Sequence, residues 1–136
     1  MNFLTIYNIS RKCRKRLEKY AKDFNFPDNL EELCAIASAT LFKEFEKHGI
    51  KSKIILNPFH CFVKIDDKIV DITASQFGVQ YPKILIKKYE KVEDNLWWKE
   101  EKSFTSIKRL YNWQYIRKWP NRQLAKIIKE KSYGRI

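Results

Sequence analysis

Leu33 to Gly78 reads LCAIASATLFKEFEKHGIKSKIILNPFHCFVKIDDKIVDITASQFG, and the hydrophobic period changes within it. Leu33, Ala37, Leu41 and Phe45 recur at helical spacing, and Gly49 stops the run. Beyond it, Phe59 to Ile65 and Lys68 to Thr73 are rich in Phe, Val and Ile, with Asp66-Asp67 between them as a tight hairpin turn. Lys53 to Leu56 is a further short strand, ended by Asn57-Pro58. A helix followed by a three-stranded antiparallel unit is therefore predicted, which places the chain in the α+β class. Ala35, Ala37, Ser38 and Ala39 keep the helix slim enough for close packing on the sheet.

The same stretch carries reactive side chains: Cys34 on the helix, His60 at the start of a strand and Asp71 on the strand that follows. A nucleophilic cysteine acts as its thiolate, needs a neighbouring base, and needs a third group to fix that base's tautomer and orientation. A helix N-terminus favours negative charge only within its first turn. Two starts are open for this helix. Asp28 with Glu31 three residues on reads as a capping box that would begin it at Asn29 and leave Cys34 more than one turn inside. Alternatively, Asn29 to Leu33 form a separate turn and the helix begins at Cys34.

Strand parity tests the other two residues. With a two-residue turn, Phe62 lies opposite Asp71, so His60 and Asp71 share a face as diagonal neighbours. Diagonal positions are ~7–8 Å apart at the backbone, within reach of an imidazole and a carboxylate leaning together. The opposite face, Cys61, Val63, Ile65, Val70 and Ile72, is wholly apolar, as a surface packed on a core should be. A three-residue turn would move Asp71 to the wrong face.

Cys34-Ala35 with Ala37 and Leu41, then Gly49-Ile50, then His60-Cys61-Phe62-Val63, then Asp71-Ile72-Thr73, resemble the transglutaminase-like branch of the papain-like cysteine enzymes. The resemblance covers about a third of the chain and rests on order, spacing and structural context together. Two features depart from the family pattern: Leu33 stands where a small residue often precedes the nucleophile, and the interval from His60 to Asp71 is short. The resemblance implies a papain-like core, with the helix carrying the cysteine packed on a small antiparallel sheet and further helices C-terminal to it. It also implies a Cys34, His60, Asp71 triad that needs no cofactor and no metal.

Each residue has a plainer reading. Cys34 alone reads as a buried inert thiol, His60 alone as a satisfied core histidine, and Asp71 alone as the cap of a turn through Thr73. Cys34, His60, Cys61 and Asp71 are also ligand types for zinc. His60 and Cys61 point apart on a strand, however, and no C-x-x-C or H-x-x-x-H spacing occurs. Asn29 is a candidate amide donor to an oxyanion formed beside the Cys34 N–H.

N-terminal to this stretch, Asn8 to Phe24 reads as a first helix. Ile9, Cys13, Leu17, Tyr20 and Phe24 form its apolar face, while Arg11, Lys12, Arg14, Lys15, Arg16 and Lys19 crowd its solvated side. His48 reads as a C-terminal dipole partner of the second helix. After the triad, Thr73 to Pro82 is an irregular loop, either a cleft wall or a connection, and Ile84 to Val92 a further strand. Residues 94–136 read as a basic, aromatic, helical C-terminal extension of one domain spanning 1–136. It contains Trp97-Trp98, a helix over Phe104 to Lys118, Asn121 as a cap after Pro120, and a last helix over Leu124 to Ile128.

Composition bounds the rest. The chain has 136 residues, 44% of them hydrophobic and 15% aromatic, which suits one packed core. Met1 to Ile9 lacks a basic leader and a long apolar run, and no window approaches a membrane span, so a soluble cytoplasmic protein is expected. Delivery into another cell without a classical leader would leave the same signature. Three cysteines without repeated spacing fit a reducing compartment. The net charge of +12 favours encounter with acidic partners. Two functions follow. The first is a thiol-dependent enzyme acting on amide bonds of a protein or peptide, as cysteine peptidase, glutamine deamidase or transglutaminase. The second is a non-enzymatic basic binding protein that engages nucleic acid or an acidic protein through its aromatic, cationic C-terminal region. For that region, the absence of a recognised nucleic-acid motif favours an aromatic stripe packed on the sheet over a nucleic-acid platform.

Overall fold

The computed structural model describes residues 2 to 112, and Asn2 at its start caps a helix. The Asn2 side chain accepts the Leu4 N–H at 2.8 Å, so α1 runs over Phe3–Asp23 and starts well before Asn8. Ile6, Ile9, Cys13, Leu17 and Ala21 form its buried stripe. Phe24, expected on that stripe, stands 55% exposed, because the helix has ended at Asp23 and the backbone turns away. A second departure is Arg14. Its place among the cations of the solvated side predicts exposure, but it is only 4% exposed.

Cys34–Lys47 forms α2, so of the two possible starts the later one is realised. No Asp28–Glu31 capping box forms. Leu30 and Glu32 adopt φ of 64° and 72°, left-handed backbone that no helix can pass through. At the other end Gly49, at φ +71°, closes a Schellman turn: its N–H donates to the Glu46 carbonyl, and the Ile50 N–H to that of Phe45. His48 Nδ1 meets the Glu44 carbonyl at 2.8 Å, in keeping with a structural role at the helix end.

Five antiparallel strands form one sheet in the order β4-β3-β2-β1-β5: β1 Lys53–Leu56, β2 Cys61–Ile65, β3 Lys68–Asp71, β4 Leu85–Lys88 and β5 Lys102–Phe104. The sheet is thus wider than the predicted three-stranded unit. β4 comes from the predicted Ile84 to Val92 strand, cut short by a 3-10 turn at Tyr89–Lys91. β5 was not foreseen. It falls in the stretch read as a helical extension, and pairs with β1 through Ile54↔Phe104 and Leu56↔Lys102. The helix expected from Phe104 begins instead at Ile107, where Ser106 caps α3, Ile107–Tyr111. Its expected continuation to Lys118, Asn121 and the Leu124 to Ile128 helix lie outside the described residues.

Both sheet faces are covered. Ile54, Leu56, Cys61, Val63, Ile65, Val70 and Ile72 pack under α1 and α2 with Leu17, Leu41 and Phe45. Ile55, Phe62, Ile69 and Leu85 pack on the other side against Ala74, Val92 and Trp98, which sit in or beside 3-10 turns. The protein is therefore α+β, with three helices and a five-stranded antiparallel sheet among the described residues. None of those helices is long and apolar enough to cross a membrane.

Candidate active site

Cys34 is the first residue of α2 and is 8% exposed. The loop before it is shaped by the two left-handed residues. The Leu30 N–H reaches back to the Pro27 carbonyl, the Leu33 N–H to that of Leu30, and Asn29 Oδ1 accepts the Glu31 N–H. The chain thus turns through residues 29 to 33 and presents Cys34 on the first helical turn. The oxygen of the Asn29 side chain is engaged within this loop, and its carbonyl accepts the Ser75 hydroxyl at 3.4 Å.

The hairpin register is as strand parity required. Val63↔Val70, Lys64↔Ile69 and Ile65↔Lys68 leave Asp66-Asp67 as the two-residue turn, which sets Phe62 across from Asp71. His60 lies one residue ahead of β2, where its carbonyl accepts the Asn57 N–H at 3.0 Å, and diagonal to Asp71. Its Nε2 and Asp71 Oδ2 are 2.6 Å apart, with both residues buried. With Nε2 committed to Asp71, Nδ1 is the nitrogen left to interact with Cys34. It is buried, with no protein group at full hydrogen-bond geometry. Burial pulls the imidazole's pKa down, but the Asp71 charge and hydrogen bond, joined by Cys34, outweigh it and raise the value to about 10.

Asp71 is held from every side. Oδ2 also accepts the Trp98 indole N–H at 2.8 Å, while Oδ1 accepts the Thr73 N–H at 2.8 Å and its hydroxyl at 3.2 Å. Burial alone would raise this carboxyl's pKa, but the His60 charge and these donors lower it. The turn-capping reading of Asp71 and the His60 partnership therefore coexist, one on each oxygen.

Three residues that sequence reasoning did not assign to the site hold it together. Asn57, 2% exposed, accepts the Phe59 and His60 N–H groups on Oδ1 at 2.8 and 2.9 Å. Its Nδ2 donates to the carbonyls of Leu96, Trp97 and Lys99 at 3.4, 3.1 and 2.8 Å. One amide thus ties the backbone of His60 to the turn carrying Trp98. Arg14 reaches from α1 with Nη1 to the Ile72 carbonyl at 2.8 Å and Ser75 Oγ at 2.9 Å, pinning the chain just past Asp71. The signals were present but ambiguous. Asn57-Pro58 reads equally as a strand breaker, Trp97-Trp98 as general aromatic content, and Arg14 as one cation among six.

Phe77 and Trp97 close the outer side. The Phe77 ring meets the His60 ring edge-to-face at 4.7 Å and stacks on Trp97 at 4.1 Å, 8° from parallel, while Trp97 takes the edge of Phe59 at 6.4 Å. Phe77 ends the 3-10 turn Ala74–Phe77, so the loop after Asp71 supplies a wall of the site.

The other two thiols are unsuited to attack. Cys13 and Cys61 are fully buried, and burial pushes both thiols up, Cys61 further because Cys34 lies near. Among the described residues, no three His, Cys, Asp and Glu side chains converge as around a metal ion. A cavity of about 610 Å³ lined by Phe42, Gly49, Ile50 and Lys64 lies at the far end of α2 and includes none of the triad. Comparison with known proteins gives no match to a family model, a curated protein or a solved structure.

Proposed function

We propose that this chain is a thiol-dependent acyl-transfer enzyme acting on amide bonds of a protein or peptide, built on the papain-like plan of the transglutaminase-like enzymes. The observation that carries the reading is the buried His60–Asp71 pair at 2.6 Å, whose remaining imidazole nitrogen is left for a cysteine on the first turn of a helix. The Cys34 sulfur attacks the carbonyl carbon, and the tetrahedral oxyanion lies against the N–H groups that open α2. The C–N bond then breaks, and the His60 imidazolium gives its Nδ1 proton to the departing amine. A thioester on Cys34 remains. Water or a primary amine, deprotonated by the same nitrogen, attacks it and releases the thiolate. Asp71 keeps Nε2 protonated and the ring oriented throughout.

Water would give proteolysis or glutamine deamidation, and an amine would give transglutamination. Mass spectrometry of a peptide library incubated with the protein and a tagged primary amine separates these. A cut chain, a gain of about one dalton, or a tagged glutamine identifies each route, and every product disappears with Cys34→Ala. Identical products from Cys34→Ala, or no product from any peptide, would contradict the reading.

A further inference from the structure

Exposed apolar side chains stand beside the His60 ring. Phe59, 58% exposed, meets the Trp97 ring, which stacks on the Phe77 ring that abuts His60; Leu96, 60% exposed, precedes Trp97 in the chain, and the fully exposed Val79 lies two residues past Phe77. Large apolar side chains gathered in the open mark a binding surface. This one is continuous with the imidazole through Phe77, so whatever covers it lies beside the reacting carbonyl.

The charge is inverted there as well. The chain carries +12 overall, yet the loop leading into Cys34 holds Asp28, Glu31 and Glu32, all exposed, with no cation among residues 28–32. Of the residues beside Trp97, Glu93 and Asp94 are exposed carboxylates, while Glu100 pairs with Lys64 at 2.8 Å. The first loop is joined to the turn bearing Phe77 by the Ser75 hydroxyl on the Asn29 carbonyl, so acidic loop and aromatic shelf border the same site.

We infer that the substrate is a cationic polypeptide segment that seats a large apolar side chain on Phe59, Phe77 and Trp97 and sets a neighbouring lysine or arginine against Asp28, Glu31 and Glu32. This rests on the acyl-transfer reading above and names the substrate class for that same site. It runs against what net charge alone suggests. The +12 favours acidic partners at long range, whereas the groups bordering the nucleophile favour a basic one at contact.

The test uses short peptidyl chloromethyl ketones, which alkylate Cys34 in proportion to how well the peptide seats, with iodoacetamide as a reagent too small to use the shelf. Phe at the residue bearing the electrophile should exceed Ala by about tenfold in alkylation rate, and Trp97→Ala should reduce that ratio to near one. Arg beside it should exceed Glu by about threefold in low salt, an advantage that Glu31→Lys reverses and high salt removes. Selective iodoacetamide labelling of Cys34 in each variant shows an intact site. Equal rates for all peptides, or faster reaction of acidic ones, with that labelling preserved, would overturn the substrate assignment and leave the triad standing. Iodoacetamide labelling without preference for Cys34 in the wild type would overturn both.

Discussion

At the residue scale the account turns on Asp71, a buried residue whose two oxygens accept from His60, Trp98 and Thr73. A buried carboxylate is tolerated when its lone pairs are met, and each donor removed leaves part of it unmet. Trp98→Phe keeps an aromatic side chain but deletes the N–H and leaves a void where the larger indole packed, so it should cost at least about 1–3 kcal/mol in a urea melt and also lower the rate of peptide turnover. Asp71→Asn should cost stability, because its NH2 sets a donor against the donors that meet one of the two oxygens, and cut turnover by at least about a hundredfold, because an amide no longer enforces the required tautomer. The pair also sets a pH dependence. His60 has a folded pKa of about 10 against an ordinary 6.5, so its contribution to stability is complete below about pH 6.5 and fades as pH rises through 10. Thermal melts should show stability falling across that window, and His60→Gln should flatten the fall. The pairing of His60 with Asp71 was legible because a strand has a fixed period and the turn a countable length. The burial of Arg14 was not, since its acceptors lie on residues 72 and 75, some sixty positions away.

At the scale of elements, the start of α2 is the decisive detail, and the capping motif pointed to the wrong residue. Asp28 and Glu31 have the right spacing, but Leu30 and Glu32 adopt left-handed backbone that the side-chain pattern does not announce. The other end was readable because glycine is the residue that a Schellman turn demands. Gly49→Ala should destabilise the protein by about 1 kcal/mol through the left-handed penalty alone, since an added Cβ there meets nothing within 4 Å. Asn57→Ala should cost more, about 2–4 kcal/mol, by releasing the Leu96 to Lys99 carbonyls and the His60 N–H together. Denaturant midpoints at constant m-value would measure both.

At the scale of the whole molecule, the sequence showed a helix on a sheet but not how far the sheet extends. A boundary near Asp94 was suggested by a change in texture, from alternating apolar residues to aromatics among lysines. Yet β5 completes the edge beside β1, and Trp98 donates into the middle of the site. Three-residue strands carry too little periodicity to be seen, and a tryptophan's partner is set by folding rather than by its neighbours in sequence. A chain ending at residue 93 should therefore lose cooperative unfolding instead of behaving as a core relieved of an appendage. Circular dichroism melts of that fragment check this.

The central claim is that the Cys34 thiol alone is activated, and that His60 activates it. The direct measurement is the rate of iodoacetamide alkylation of each cysteine at about pH 6, read by peptide mass spectrometry in the native protein, wild type and His60→Ala. Cys34 should react far ahead of Cys13 and Cys61 in the wild type and lose that lead in the variant. Equal rates for the three thiols, or a Cys34 lead unchanged by His60→Ala, would contradict it.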